Sequence, residues 1–191
     1  MTNDEVVNHP AVQKTITFLK DAFQKHPHYS FNDWTIMYDH SVNVMRKSLE
    51  LAEDHDVDKI VLAITSLLHD IGKTLDRDEK TLREKHEELG LEVSEAFLNS
   101  LTELSDSQRN QIKELFRKDH PDLIKKIMKD ADYLDFYQNE YLHDAFKKWV
   151  DQNHLPEQID RKIIRFEKMD EKAKKLARPY MEKLKKKWRI S

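Results

Sequence analysis

Three His-Asp doublets occur in this chain, and one of them stands where it could do chemistry. His69-Asp70 closes the apolar run Ile60-Val61-Leu62-Ala63-Ile64-Thr65-Ser66-Leu67-Leu68, and Ile71-Gly72-Lys73 follows at once. His40 lies upstream, and His86, His120 and Asp132 lie downstream. Imidazole and carboxylate together suit a borderline divalent cation, and an adjacent His and Asp offer two ligands from one turn of backbone. The chemistry these residue types allow is hydrolysis at a metal site.

The other two doublets read differently. His55-Asp56 sits in the polar run Ala52-Glu53-Asp54-His55-Asp56-Val57-Asp58, a helix end followed by a new cap. His143-Asp144 falls mid-helix, with no glycine or basic residue after it. Both are expected on solvated surface. His69-Asp70 instead ends a helix whose face Ile60, Ile64, Leu67, Leu68, Ile71 repeats at three and four residues, with Gly72 expected as a left-handed stop. A buried His-Asp pair there must be partnered or metal-bound.

The elements that must position these side chains are helices. Two glycines and five prolines in 191 residues leave little turn chemistry for sheets, while Leu, Glu, Lys and Ala recur at helical spacing. The expected fold is all-α, a compact single-domain helical bundle over residues 1–191. About eight helices are expected: 10–25, 33–54 from Asn32 or Asp33, 58–71, 84–100, 106–118, 122–137, 139–152 and 157–188. A charged loop, Thr74 to Arg83, precedes the fourth, which starts near His86, and Pro179 is expected to kink or break the last.

Composition narrows the class of function. There is no cysteine, hence no disulfide framework, thiolate ligand or thiol nucleophile. No apolar stretch is long enough to span a bilayer and no leader pattern opens the chain, so a soluble cytoplasmic protein with no membrane partner is expected. The net charge of -3 is uneven, with 13 Lys/Arg against 4 Asp/Glu in residues 161–191. That tail reads as the solvated face of a helix docked by Ile163, Phe166, Met169, Leu176, Tyr180 and Leu184. It lacks the aromatic–basic alternation of a single-strand platform, so nucleic acid is not the expected partner.

His40, His69, Asp70 and Asp132 come from three helices that would have to converge. Asp132 falls near the apolar side of its helix and Asp130 off it, so a cation is the economical partner for Asp132. His86 and His120, read as helix-end histidines, are placed to reach a shared cleft. Taken singly, each of these residues is equally well explained by a structural role; their joint order is what carries the reading.

That order, His40, then His69-Asp70, then Asp132, resembles the HD superfamily of metal-dependent phosphohydrolases. Leu67-Leu68-His69-Asp70-Ile71-Gly72-Lys73 is similar to that family's doublet segment, and Asp130-Ala131-Asp132-Tyr133-Leu134-Asp135 to its closing segment. The resemblance covers about residues 38–136. It implies that His40, His69, Asp70 and Asp132 hold one ion. In members with two metals, histidines stand where His86 and His120 fall, with Asp70 bridging the ions. Asp119-His120 departs from the paired histidines of the cyclic-dinucleotide branch, which makes cyclic dinucleotides a poor expectation.

The resemblance implies metal-assisted attack of water on phosphorus, with Asp70 and Lys73 as the catalytic residues. Lys73 would meet a phosphate oxygen or the leaving group, or alternatively satisfy carbonyls at its helix end. Arg77, Arg117 and Lys118 are weaker phosphate contacts. The expected ligand set is one or two divalent transition-metal ions, with Mn, Fe, Ni, Co, Mg and Zn not distinguished by these donors. The expected substrate is a small phosphorylated molecule, a nucleotide first. Two alternatives share the same residues: a di-iron oxygenase using the six-ligand site, and a non-catalytic metal-binding regulatory domain. Oligomeric state is left open.

Overall fold

The structure, a computed structural model, describes residues 1–26, 33–117, 120–149 and 155–188. Among these it forms ten α-helices and no strand. They are α1 (Asn3–Val7), α2 (Pro10–Lys25), α3 (Trp34–Leu51), α4 (Lys59–Leu68), α5 (Glu79–Ser100), α6 (Asp106–Leu115), α7 (Leu123–Gln138), α8 (Glu140–Trp149), α9 (Leu155–Lys168) and α10 (Glu171–Trp188). Short 3₁₀ turns follow α3 at Ala52–Asp54 and α4 at Ile71–Thr74. The all-α expectation holds, and no helix among the described residues is long and apolar enough to cross a membrane. The chain divides into two compact units, Met1–Met128 and Lys129–Ser191.

The first unit is built around α4. Asp58 starts it by accepting the Ile60 and Val61 amides on Oδ1 at 2.9 and 3.1 Å, and every residue from Ile60 to Leu68 is buried. A helix apolar on all sides has to be enclosed, and α2, α3 and α6 pack around it. Each fully buried Leu, Ile or Val contributes about 1.5–3 kcal/mol toward holding that position. The surrounding helices begin where their cap residues dictate. His9 and Pro10 open α2, Asp33 opens α3 and Asp78 opens α5, while Ser105 and Gln108 form a reciprocal capping box on α6.

Several expected boundaries move. The stretch read as a loop before His86 is helical from Glu79, because Asp78 accepts the Thr81 amide at 3.0 Å and satisfies the helix start. His86 therefore lies inside α5, not at its beginning. The terminal stretch does not break at Pro179, which is accommodated within α10. The break falls at Asp170, whose Oδ1 accepts the Lys172 amide at 3.0 Å and starts α10. The buried face of α10 is Ala173, Ala177, Met181 and Leu184, while Tyr180 is exposed. That face continues on both sides of the proline, so burial outweighs the lost hydrogen bond.

In the second unit the expected orientation of two aspartates is reversed. Asp130 is buried, paired with Arg165 at 2.9 Å and accepting the Asp170 amide at 3.0 Å, whereas Asp132 is half-buried. An arginine and an amide from the chain's later segment satisfy Asp130, which helix periodicity alone could not foresee. His143 is likewise buried rather than solvated; its Nε2 donates to the Phe136 carbonyl at 2.7 Å. The Tyr137 hydroxyl donates to the Lys162 carbonyl at 2.6 Å, and burial pushes its pKa well above the ordinary tyrosine value.

Candidate metal centre

The centre grows from the end of α4. His69 keeps right-handed helical backbone (φ -56°, ψ -33°) and Asp70 follows at φ -107°, ψ 3°, so the chain tightens into the 3₁₀ turn Ile71–Thr74. Gly72 is part of that turn and has no positive φ; it is not the left-handed stop expected from sequence. Its role is spatial. A Cβ there would overlap the His86 carbonyl oxygen and stand 2.6 Å from the Gly90 nitrogen, so only glycine lets α5 lie against the turn. In a 3₁₀ turn, side chains at i and i+3 eclipse, and Lys73 accordingly places Nζ on Asp70 Oδ2 at 2.6 Å.

Asp70 is the hub. His40 Nε2, from the middle of α3, stands 3.9 Å from Oδ2, and His69 Nε2 stands 3.5 Å from the same oxygen. His86 Nε2, brought in by α5, stands 3.6 Å from Oδ1. His40, His69 and Asp70 are all buried and offer ligand atoms within 4.8 Å of one another, near the spread of a shell with bonds of about 2.0–2.2 Å. The rings of His40 and His69 meet edge to face at 5.3 Å.

Hydrogen bonding fixes what two of these rings present. His69 Nδ1 lies 2.7 Å from the Ser66 carbonyl and His86 Nδ1 lies 3.0 Å from the Leu82 carbonyl. A carbonyl only accepts, so each Nδ1 carries a proton and each Nε2 is the atom turned toward Asp70. His69 Nε2 is buried and has no hydrogen-bond partner. A lone pair facing a carboxylate oxygen is repulsive unless a cation lies between them. The donor set fits a divalent ion on that ground, and backbone carbonyls orienting the ligand rings are the usual support for such a site. Those carbonyls were the part missed from sequence. The available signal was spacing alone: each ring lies three or four residues, one helical turn, after the carbonyl that holds it.

The charge state is consistent with this. Burial opposes ionisation of Asp70, yet the Lys73 ammonium on Oδ2 holds its carboxyl far below the ordinary carboxylate range. Burial, helped by Lys73, lowers the pKa of His86 against the pull of Asp70, so the ring is neutral.

The remaining candidates are placed as follows. His120 lies just beyond α6 in the first unit, with Nδ1 buried and without a hydrogen-bond partner. Asp132 is on the part of α7 that belongs to the second unit. Arg77 pairs with Glu92 at 3.6 Å, and Arg117 pairs with Glu114 at 2.8 Å on the surface. Lys118 lies outside the described residues.

The sequence pattern of the HD domain matches residues 37–137. The fold is shared with the crystal structure of a predicted HD superfamily hydrolase from an uncultured Thermotogales bacterium. The two are 20% identical with a TM-score of 0.65, over 99% of this chain and 96% of that one. Among curated proteins none matches. With the match spanning more than half its length and the His-Asp doublet at the hub of a metal-fitting cluster, the chain belongs to the HD domain family.

Proposed function

We propose that this protein is a metal-dependent phosphohydrolase acting on a nucleotide or another small phosphorylated metabolite. The observation that carries the reading is the Asp70 carboxylate, faced by the Nε2 atoms of His69 at 3.5 Å and His86 at 3.6 Å. In this reading His40, His69, Asp70 and, by the family resemblance, Asp132 hold one ion; Asp70, His86 and His120 hold a second. Bound divalent ions supply acidified water and neutralise charge on phosphoryl oxygens.

The chain's own residues do the rest. Ser66 and Leu82 keep the His69 and His86 rings in the tautomer that coordinates. Lys73 holds Asp70 Oδ2 at 2.6 Å, so it would compete with a bound ion for that oxygen, and its ammonium, once displaced, would pair with an anionic substrate. Burial of Asp70 and His40 keeps water from screening that charge.

The test is elemental analysis of wild type and Asp70→Ala, alongside phosphate release from a nucleotide panel. Transition metal bound near stoichiometry, lost with activity in the variant, supports the reading. Two irons with oxygen uptake and no phosphate release would replace it with the oxygenase. Bound metal with neither activity would leave a regulatory metal-binding domain.

A further inference from the structure

Lys125, on α7 within the first unit, is 2 % exposed, although lysine is among the residues least often buried. Its ammonium is fully employed. Nζ donates to Glu87 Oε2 at 2.6 Å, to the Leu115 carbonyl at 2.9 Å and to the Arg117 carbonyl. An ammonium has three N–H donors, and each has an acceptor here. Desolvating a lysine costs several kcal/mol, so its burial calls for a reason beyond packing.

Its acceptors supply one. Glu87 directly follows His86 on α5. Leu115 ends α6, and the Arg117 carbonyl that receives Lys125 also accepts the His120 amide at 3.2 Å. One ammonium thus joins the residue next to His86 to the carbonyl that anchors His120. The residue held in this way, His120, has a ring whose Nδ1 is buried and makes no hydrogen bond.

We infer that Lys125 is a positioning residue for the second ion, setting the separation of His86 and His120 through Glu87 and the Arg117 carbonyl. The inference rests on the two-ion form of the function proposed above. It separates the two ions energetically, because Lys125 touches neither His40 nor the His69-Asp70 doublet in its three bonds.

The experiment is manganese titration with elemental analysis of wild type, Lys125→Met, Glu87→Gln and Asp70→Ala, with amide exchange on the metal-free proteins. Lys125→Met is expected to keep one ion at wild-type affinity and to weaken the other roughly tenfold or more, the usual loss when support behind a ligand is removed. Amide exchange should quicken at His120 and over residues 115–117 while α4 stays protected. Glu87→Gln keeps an acceptor but not the charge, so it should move the second ion in the same direction by less, and it decides the matter if Lys125→Met does not fold. Two ions at wild-type affinity in Glu87→Gln and Lys125→Met would overturn the inference and leave the two-ion reading standing. A single ion in wild type, lost in Asp70→Ala, would overturn both.

Discussion

Gly72 and Gly90, the two glycines of the chain, lie against each other: a Cβ added to Gly72 would stand 2.6 Å from the Gly90 nitrogen. The contact is where α5 meets the turn after the doublet, and it sets how near His86 comes to Asp70. Both glycines serve approach between elements, and neither is needed for an unusual backbone angle.

The two should respond unequally to alanine. At Gly72 the obstacle is the backbone of α5, which yields only if the helix moves, so Gly72→Ala should cost about 3 kcal/mol in urea unfolding. The same variant should lose an ion by carrying His86 away. At Gly90 the obstacle is the Phe116 ring, a side chain that can shift. There the strain is offset by the roughly 1 kcal/mol that alanine gains over glycine in a helix, leaving a net change within about 1 kcal/mol.

Lys73→Met removes the ammonium that competes for Asp70 Oδ2. Metal affinity is expected to hold or rise, while kcat/KM for phosphate release falls about 10²-fold, the loss seen when one donor to a developing anion is deleted. Isothermal titration and steady-state assay of one preparation separate the two effects. Weaker metal binding in this variant would contradict the competition.

Asp130 and Asp132 should part company under substitution. Asp130→Ala strands the Arg165 guanidinium and should cost about 3 kcal/mol in denaturant unfolding. Asp132→Ala, at a half-buried position, should cost less in unfolding than Asp130→Ala while lowering metal content. Equal stability losses would return Asp132 to a purely structural role.

His143 gives the second unit an acid sensitivity. Burial lowers its pKa from the usual 6.5, with the hydrogen bond to the Phe136 carbonyl acting the other way. Above 6.5 the ring is neutral folded or unfolded, and its titration changes nothing. As pH falls below 6.5, the unfolded chain takes up the proton first, so stability declines until the folded-state pKa is passed. Urea midpoints between about pH 7 and pH 5 should fall in wild type and fall less steeply in His143→Gln.

What could be read from sequence was what local chemistry decides. Asp58, Ser105 and the largely apolar run of α4 mark their helices unaided, and the doublet at the end of that run is the hub of the site. What escaped depends on partners distant in the chain. Gly72 looks like a helix stop until α5 is seen against it, and Asp130 looks solvated until Arg165 arrives from 35 residues away. The start of α5 was missed because Glu79–Lys85 is almost all polar, leaving the Asp78 cap as the sole local mark.

The Lys73 ammonium on Asp70 Oδ2 has a consequence for the life of the protein. The carboxylate has a resident counter-ion, and the α4 core that holds it is built from buried side chains capped by Asp58. Loading the centre is then an exchange of cations on a finished scaffold, unlike small zinc domains that fold only as they bind. Chelation should lower the protein's melting temperature by no more than the free energy of ion binding accounts for, leaving the helices folded and the centre open to reloading.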